Sequence, residues 1–147
     1  MTMTATRTDE RMRLRALLDD WAEAVRAPDL DRIMAAYTPD IVSFDAIAQL
    51  RFEGAEAYRR HWQACIEMCS GMIFEVHDLD LEAGDRVAFG HYLVRCGGTG
   101  PDGHEQVGWM RGTVCFRQTG GRWLIAHEHF SVPFDMASGK ALFDLEP

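Results

Sequence analysis

Apolar residues recur at steps of three and four through the first part of the chain, which is typical of amphipathic helices. The first stripe covers residues 14–25 and ends before Pro28, because proline cannot continue a helix. Asp29 is placed to cap a second, short helix that reaches Tyr37, and Pro39 ends it. The pattern therefore predicts two helices in the first 40 residues.

The remainder of the chain is mostly an alternation of apolar and polar residues with turn residues between the runs. A strand is predicted over residues 41–45 and a short one over 50–52, before a third helix over 54–69. Glycine-containing turns then separate four long strand candidates, over residues 72–81, 86–96, 105–117 and 122–132. This order predicts an α+β protein with a four-stranded antiparallel meander.

The order of elements also predicts a cavity. Three helices cannot surround one sheet, so they lie on a single face of it. A long antiparallel sheet curls, and a helix layer across its mouth leaves a cone that can hold a small organic ligand. We expect a tail over residues 1–8, one domain over 9–134, and a C-terminal tail over 135–147 that packs on the domain or on a second copy.

Composition limits the partners. The formal net charge is −8 and no run of Lys or Arg occurs, which argues against nucleic-acid binding and against anionic membranes. The four cysteines do not have the spacing of a redox pair or a zinc knuckle, so we expect free thiols in a reducing, cytoplasmic compartment. No segment is apolar enough for a signal peptide or a membrane span. We expect no cofactor and no bound metal.

Three stretches resemble known proteins. The segment Ala27–Asp40, the pair Phe44-Asp45 followed by Phe52-Glu53-Gly54, and the late strands over residues 109–133 resemble ketosteroid isomerases and polyketide cyclases of the SnoaL-like kind. This resemblance implies the cystatin-like cone of the nuclear-transport-factor-two-like superfamily, with three helices on a strongly curved antiparallel sheet. It also implies a homodimer formed through the outer face of the sheet. It does not specify the chemistry, because this fold carries many activities.

Asp45 is the first candidate for catalysis. The resemblance implies that Asp45 is a general base, because the proton-shuttling aspartate of ketosteroid isomerases occupies the matching place. The alternative is an aspartate that caps a turn or pairs with an arginine. The isomerases also use a tyrosine and a protonated acid as an oxyanion hole. Trp21 and the region of Val114 stand at those positions here, so steroid isomerisation is not favoured.

Two histidines follow on the last strand. Strict alternation places His127 and His129 on one side, where they could act as acid and base. A metal site would need a third ligand such as His104 or Asp45. The remaining alternative is a partly exposed structural pair. The same alternation places three further residues on this side: Trp123, Ile125 and Ser131.

Arg111 can face either side of its predicted strand. If it faces inward, it can bind a substrate anion or pair with Asp45 or Glu128. If it faces outward, it is a solvated residue or a dimer contact. The inward orientation is favoured because Trp109, on the same face, would otherwise be an exposed indole.

These residues predict an enzyme that transfers protons on a small, apolar carbonyl compound, by isomerisation, cyclisation or dehydration. The alternatives are a non-catalytic ligand-binding or dimerisation module, and water addition to an epoxide, which would need a second aspartate beside Arg111. The predicted catalytic residues are Asp45, His127, His129 and Arg111. The predicted substrate contacts are Trp21, Tyr37, Trp62, Trp109 and Ser131.

Overall fold

The computed structural model describes residues 6–147, and its first element is the helix α1, Arg7–Arg26. A capping box begins it: the Thr6 hydroxyl accepts a hydrogen bond from the Asp9 amide at 3.1 Å, and the Asp9 carboxylate accepts one from the Thr6 amide at 3.0 Å. The helix therefore begins at Arg7, two residues before the predicted start of the domain at residue 9. Residues 1–5 of the predicted tail lie outside the described residues.

The other helices are α2, Leu30–Met34, and α3, Ala55–Met68. Asp29 caps α2 as predicted, but the helix ends before Tyr37, which begins a strand instead. The reason is pairing with the last strand, since the Ala36 carbonyl accepts a hydrogen bond from the Ile125 amide at 2.8 Å.

Six strands form one sheet, in the order β2-β1-β6-β5-β4-β3. Neighbouring strands are antiparallel except for β1 and β6, which are parallel. The helices and this sheet confirm the α+β, cystatin-like fold class. The strands are β1 (Tyr37–Phe44), β2 (Phe52–Glu53), β3 (Ser70–Ala83), β4 (Val87–Thr99), β5 (Glu105–Thr119) and β6 (Arg122–Ser131).

The core lies between the helices and the inner face of the sheet, and one glycine allows close packing there. A Cβ atom at Gly112 would lie 2.6 Å from the Tyr92 ring, so only glycine lets this ring lie flat against β5. Val114 and Phe116 continue the same inner face and are fully buried.

A β-bulge in β6 changes which residues face inward. Ile125 pairs with Phe116 and His127 pairs with Cys115, so Ala126 is an extra residue between them. Beyond the bulge, alternation continues from the opposite side. Glu128 is therefore buried on the inner face, while the histidines beside it face outward.

The segment after Pro133 returns to the same domain. Phe134 and Ala141 form an isolated β-bridge, and the Phe143 carbonyl accepts a hydrogen bond from the Trp109 amide at 3.0 Å. Gly108 makes room for this contact, since a Cβ there would lie 2.6 Å from the Phe143 carbonyl oxygen. Within residues 6–147, no helix has the length and apolar character needed to cross a membrane.

Candidate functional site

A cavity of about 650 Å³ lies between α3 and the inner face of the sheet. Its volume is within the range of small-molecule sites. Polar groups border it in two places, at Asp45 and His61 and along the β4–β5 connection that includes Asp102 and His104. Its large apolar lining residues are Trp62, Met68, Met72, Phe74, Met110 and Phe130.

Asp45 and His61 form an ion pair at the cavity wall. Asp45 follows β1, and its Oδ2 lies 3.3 Å from His61 Nε2 on α3. Only 10% of the Asp45 side chain and 7% of the His61 side chain are exposed, and both residues line the cavity. Asp45 Oδ1 accepts a hydrogen bond from the Ile47 amide at 3.1 Å, so one oxygen caps the turn and the other faces His61.

The surroundings of His61 favour its protonated form. Burial, including the Phe52 ring stacked at 4.2 Å, opposes the charge and acts to lower the pKa. Hydrogen bonding and charge from Asp45 and Cys65 act in the opposite direction and raise the pKa of His61 to about 9. At neutral pH the cavity therefore carries an imidazolium next to Asp45.

A line of hydrogen bonds leads from this pair into the core. The Tyr58 hydroxyl lies 3.3 Å from Asp45 Oδ2 and 2.6 Å from Glu128 Oε1. The Tyr37 hydroxyl donates to the same Glu128 oxygen at 2.7 Å and accepts from Trp21 Nε1 at 3.0 Å. Four elements, α1, β1, α3 and β6, thus supply one connected polar network.

Glu128 is the buried end of that network, with 1% of its surface exposed. Burial raises its pKa to about 7, although the hydrogen bonds from Tyr58 and Tyr37 act to lower it and the charge of Asp45 raises it further. Burial also raises the pKa of both tyrosines well above 10, so they remain hydrogen-bond donors. Among the described residues, Glu128 Oε2 has no hydrogen-bond partner.

The chain matches a known protein family. The pattern of the SnoaL-like domain matches residues 14–135. The protein is a SnoaL-like domain of the NTF2-like superfamily. This confirms the resemblance found in the sequence. Among the curated proteins compared, none matches it.

Solved structures similar to this SnoaL-like domain include an NTF2-like protein of unknown function from Pseudomonas putida KT2440. The two are 45% identical with a TM-score of 0.89, over 97% of this chain and 100% of that one. A provisionally assigned dehydratase of the NTF2-like family from Streptomyces avermitilis is 14% identical, with a TM-score of 0.78 over 86% of this chain and 97% of that one. An uncharacterised protein with a cystatin-like fold from Caulobacter vibrioides is 15% identical, with a TM-score of 0.73 over 87% and 92%.

Four of the predicted site residues lie at or behind the cavity of the SnoaL-like domain. Trp62 lines it together with Asp45. Trp21 and Tyr37 are buried behind the wall, where they hydrogen-bond to each other and, through Tyr37, to Glu128. Because the Trp21 indole already donates to Tyr37, it is not aimed at a ligand.

The prediction that His127 and His129 line the pocket is wrong. The bulge at Ala126 turns both to the outer face, where each ring packs against Phe44. His127 Nδ1 donates a hydrogen bond to the Val42 carbonyl at 2.6 Å. These histidines belong to the sheet surface.

The inward orientation of Arg111 is also wrong, and Trp109 and Ser131 lie on the outer face with it. Arg111 Nε donates a hydrogen bond to Ser131 Oγ at 3.1 Å, so it does not pair with Asp45 or Glu128. The Trp109 indole is covered by the His77 ring, whose centroid lies 5.0 Å away. Because His77 shields the Trp109 indole on the outer face, Trp109 does not need to face the core, and Arg111 can face outward with it.

Three residues of the site were not among the predicted site residues: Tyr58, His61 and Glu128. A signal for the first two exists in α3, because Tyr58, His61, Trp62 and Cys65 follow the helical spacing that marks its buried face. A histidine within such a stripe is a candidate for a buried partner. Within residues 6–147, no three His, Cys, Asp or Glu side chains are grouped as a metal ion would need.

Proposed function

We propose that this SnoaL-like domain is an enzyme that transfers protons on a small, largely apolar carbonyl compound. The observation that carries this proposal is the Asp45–His61 pair, 3.3 Å apart, in a cavity of about 650 Å³ whose other walls are mainly apolar. Burying a charged pair lowers the stability of the fold, and ionisable groups with shifted pKa values are concentrated in active sites. The provisional name of the Streptomyces avermitilis relative, a dehydratase, is consistent with this class of reaction.

The two residues have complementary roles. Asp45, as a carboxylate, takes a proton from the carbon next to the carbonyl group, and the electron pair of that C–H bond moves toward the carbonyl oxygen. His61, as an imidazolium, donates a hydrogen bond to the oxygen that gains charge. In a β-hydroxy compound, His61 would give its proton to the leaving hydroxyl group, so that water departs and a C=C bond forms. The apolar lining selects ligands without charge.

Hydrogen–deuterium exchange tests the proposal. The protein is incubated in D₂O with 2-tetralone or 4-hydroxy-4-phenylbutan-2-one, and proton NMR follows the loss of α-proton signal and the elimination of water. We expect Asp45→Asn to slow exchange by roughly 10²–10⁴-fold, the usual contribution of a positioned general base. Asp40→Asn is the matched control, because Asp40 is an exposed β1 aspartate paired with Arg117.

Two results would contradict this proposal, the first against an enzyme and the second against the role of Asp45. One is exchange no faster than in buffer for both compounds. The other is unchanged exchange in Asp45→Asn, which would show that Asp45 is not the base. Calorimetric binding without exchange would favour a non-catalytic ligand-binding module.

We also propose a homodimer formed through the outer face of the sheet. Val87 and Phe89 of β4 lie on this face with 66% and 53% of their surfaces exposed, and Phe44 lies on the same face. Exposed apolar side chains of this kind favour a protein contact. Phe89→Glu should shift the protein to monomer in analytical ultracentrifugation, whereas Met12→Glu, on exposed α1, should not. A wild-type protein that is monomeric at high concentration would contradict the proposal.

A further inference from the structure

The Tyr58 hydroxyl lies between the carboxyl groups of Glu128 and Asp45. We propose that Glu128 is a second proton-holding group of the site, connected to the cavity carboxylate Asp45 through the Tyr58 hydroxyl. The inference rests on the proposed function for its catalytic meaning, but the connection itself can be tested without any substrate.

Proton counting supports the connection. The Tyr58 oxygen lies 2.6 Å from Glu128 Oε1 and 3.3 Å from Asp45 Oδ2, and a hydroxyl group can donate only one proton. When Tyr58 donates to Glu128, its oxygen is able to accept a proton from Asp45 Oδ2, which His61 Nε2 also contacts at 3.3 Å. When Tyr58 donates to Asp45, the short contact with Glu128 is favourable only if Glu128 carries a proton. The geometry therefore fits a proton that passes between the two carboxyl groups through Tyr58.

The surroundings of Glu128 make it able to hold that proton. Its side chain is fully buried, and within residues 6–147 neither Glu128 Oε2 nor the nearby Tyr92 hydroxyl has a hydrogen-bond partner. The raised pKa of Glu128 agrees with this role. The titratable groups that face it are Tyr37 from β1, Tyr58 from α3, Tyr92 from β4 and Asp45 from the end of β1.

In the proposed reaction, the substrate C–H bond breaks and its proton goes to Asp45. Asp45 then gives a proton to the Tyr58 oxygen while the original Tyr58 proton passes to Glu128. Asp45 is a carboxylate again, Tyr58 is unchanged, and Glu128 is a carboxylic acid until the reverse transfer returns the proton to product or solvent. Glu128 contacts Asp45 only through Tyr58 and is thus a positioning and storage residue behind the base.

A titration cycle tests the connection. Carbon-13 NMR of side-chain carboxyl groups, with Glu128 assigned by its loss in Glu128→Gln, follows the Glu128 titration in wild type and in Asp45→Asn. We expect Asp45→Asn to lower the pKa of Glu128, because a neighbouring negative charge and the shared proton are both removed. The same comparison is then made in Tyr58→Phe and Tyr37→Phe backgrounds.

The two tyrosine variants are a matched pair. Each removes one donor to Glu128 Oε1, but only Tyr58 also reaches Asp45. A hydrogen-bonded connection predicts that the effect of Asp45→Asn persists in Tyr37→Phe and is reduced in Tyr58→Phe. An effect of equal size in both backgrounds, or no effect at all, would overturn the proposal.

The unmodified protein supplies a second test in case a variant does not fold. Two carboxyl groups that exchange a proton titrate together, so the Glu128 signal of wild type should show two transitions. A single Glu128 transition would also overturn the connection. If Asp45-dependent α-proton exchange occurs without coupled titration, the relay fails and the proposed function stands. If titration is coupled but no carbonyl compound exchanges, the proposed function fails and the relay stands.

Discussion

Replacement of Asp45 by asparagine should remove the elevated pKa of His61. The change is nearly isosteric and deletes the charge that lies 3.3 Å from the imidazole. With Asp45 neutralised, His61 keeps the burial that disfavours its cation and retains only Cys65 as a favourable partner, so its pKa should fall from about 9 toward 6.5.

The size of the effect follows from the same values. A pKa raised from 6.5 to about 9 corresponds to about 3 kcal/mol of preferential stabilisation of the imidazolium. The cavity admits solvent, which screens the pair, so we expect about 1–2 kcal/mol in the free energy of unfolding. This contribution is fully present below pH 6.5 and is lost as the pH rises through about 9, because the unfolded chain releases the proton first.

The assay combines two measurements on wild type and Asp45→Asn. NMR of the histidine ring signals gives the His61 titration, with exposed His91 on the outer face as internal reference. Urea unfolding at several pH values between 6 and 10 gives the stability difference, which should narrow as the pH rises. A His61 titration near 6.5 in both proteins would refute the reasoning, since the ion pair would then contribute nothing in solution.

Two further predictions concern packing and thiols. Burial, assisted by the charge of Asp45, raises the pKa of the Cys96 thiol to about 11, so Cys96 should react with iodoacetamide at pH 8 far more slowly in the folded protein than after unfolding, as measured by mass spectrometry. Gly112→Ala should cost about 1–3 kcal/mol in urea unfolding, because the new methyl group would lie 2.6 Å from the Tyr92 ring, and an unchanged midpoint would contradict that contact.

Local patterns were sufficient to predict most of the elements. The stripe of α1 and the alternation of β3, β4 and β5 repeat over many residues, so a single exception does not obscure them. Where a tertiary contact competes, prediction fails. Tyr37 continues a helical pattern, yet it pairs with Ile125 of a strand nearly 90 residues later.

The candidate site was predictable only where a residue ends an element or shares the position of a known motif. Asp45 and Trp62 are of that kind, and both border the cavity. The inward-facing residues of β6 could not be predicted, because the extra residue Ala126 reverses the alternation of the strand. Ala126 is apolar and gives no local signal of a bulge. A predicted strand that included this bulge would place Glu128, instead of the two histidines, on the inner face.

Glu128 offers a test of whether its burial serves stability or chemistry. Its pKa is raised from 4.5 to about 7, so the folded protein holds a proton that the unfolded chain releases between these values. The free energy of unfolding should therefore fall as the pH rises from 4.5 through 7, by about 3 kcal/mol at most.

Glu128→Gln keeps an oxygen that can accept from both Tyr37 and Tyr58 but has no titrating proton. In urea unfolding between pH 5 and 8, we expect this variant to lose the slope attributed to Glu128 and to retain the later decline caused by His61. A variant that is less stable than wild type by the same amount at every pH would mean that Glu128 is a structural anchor whose charge state never changes. Loss of the slope would mean that ionisation of Glu128 destabilises the fold near neutral pH. Selection for stability alone does not explain such a group, whereas proton storage beside Asp45 does.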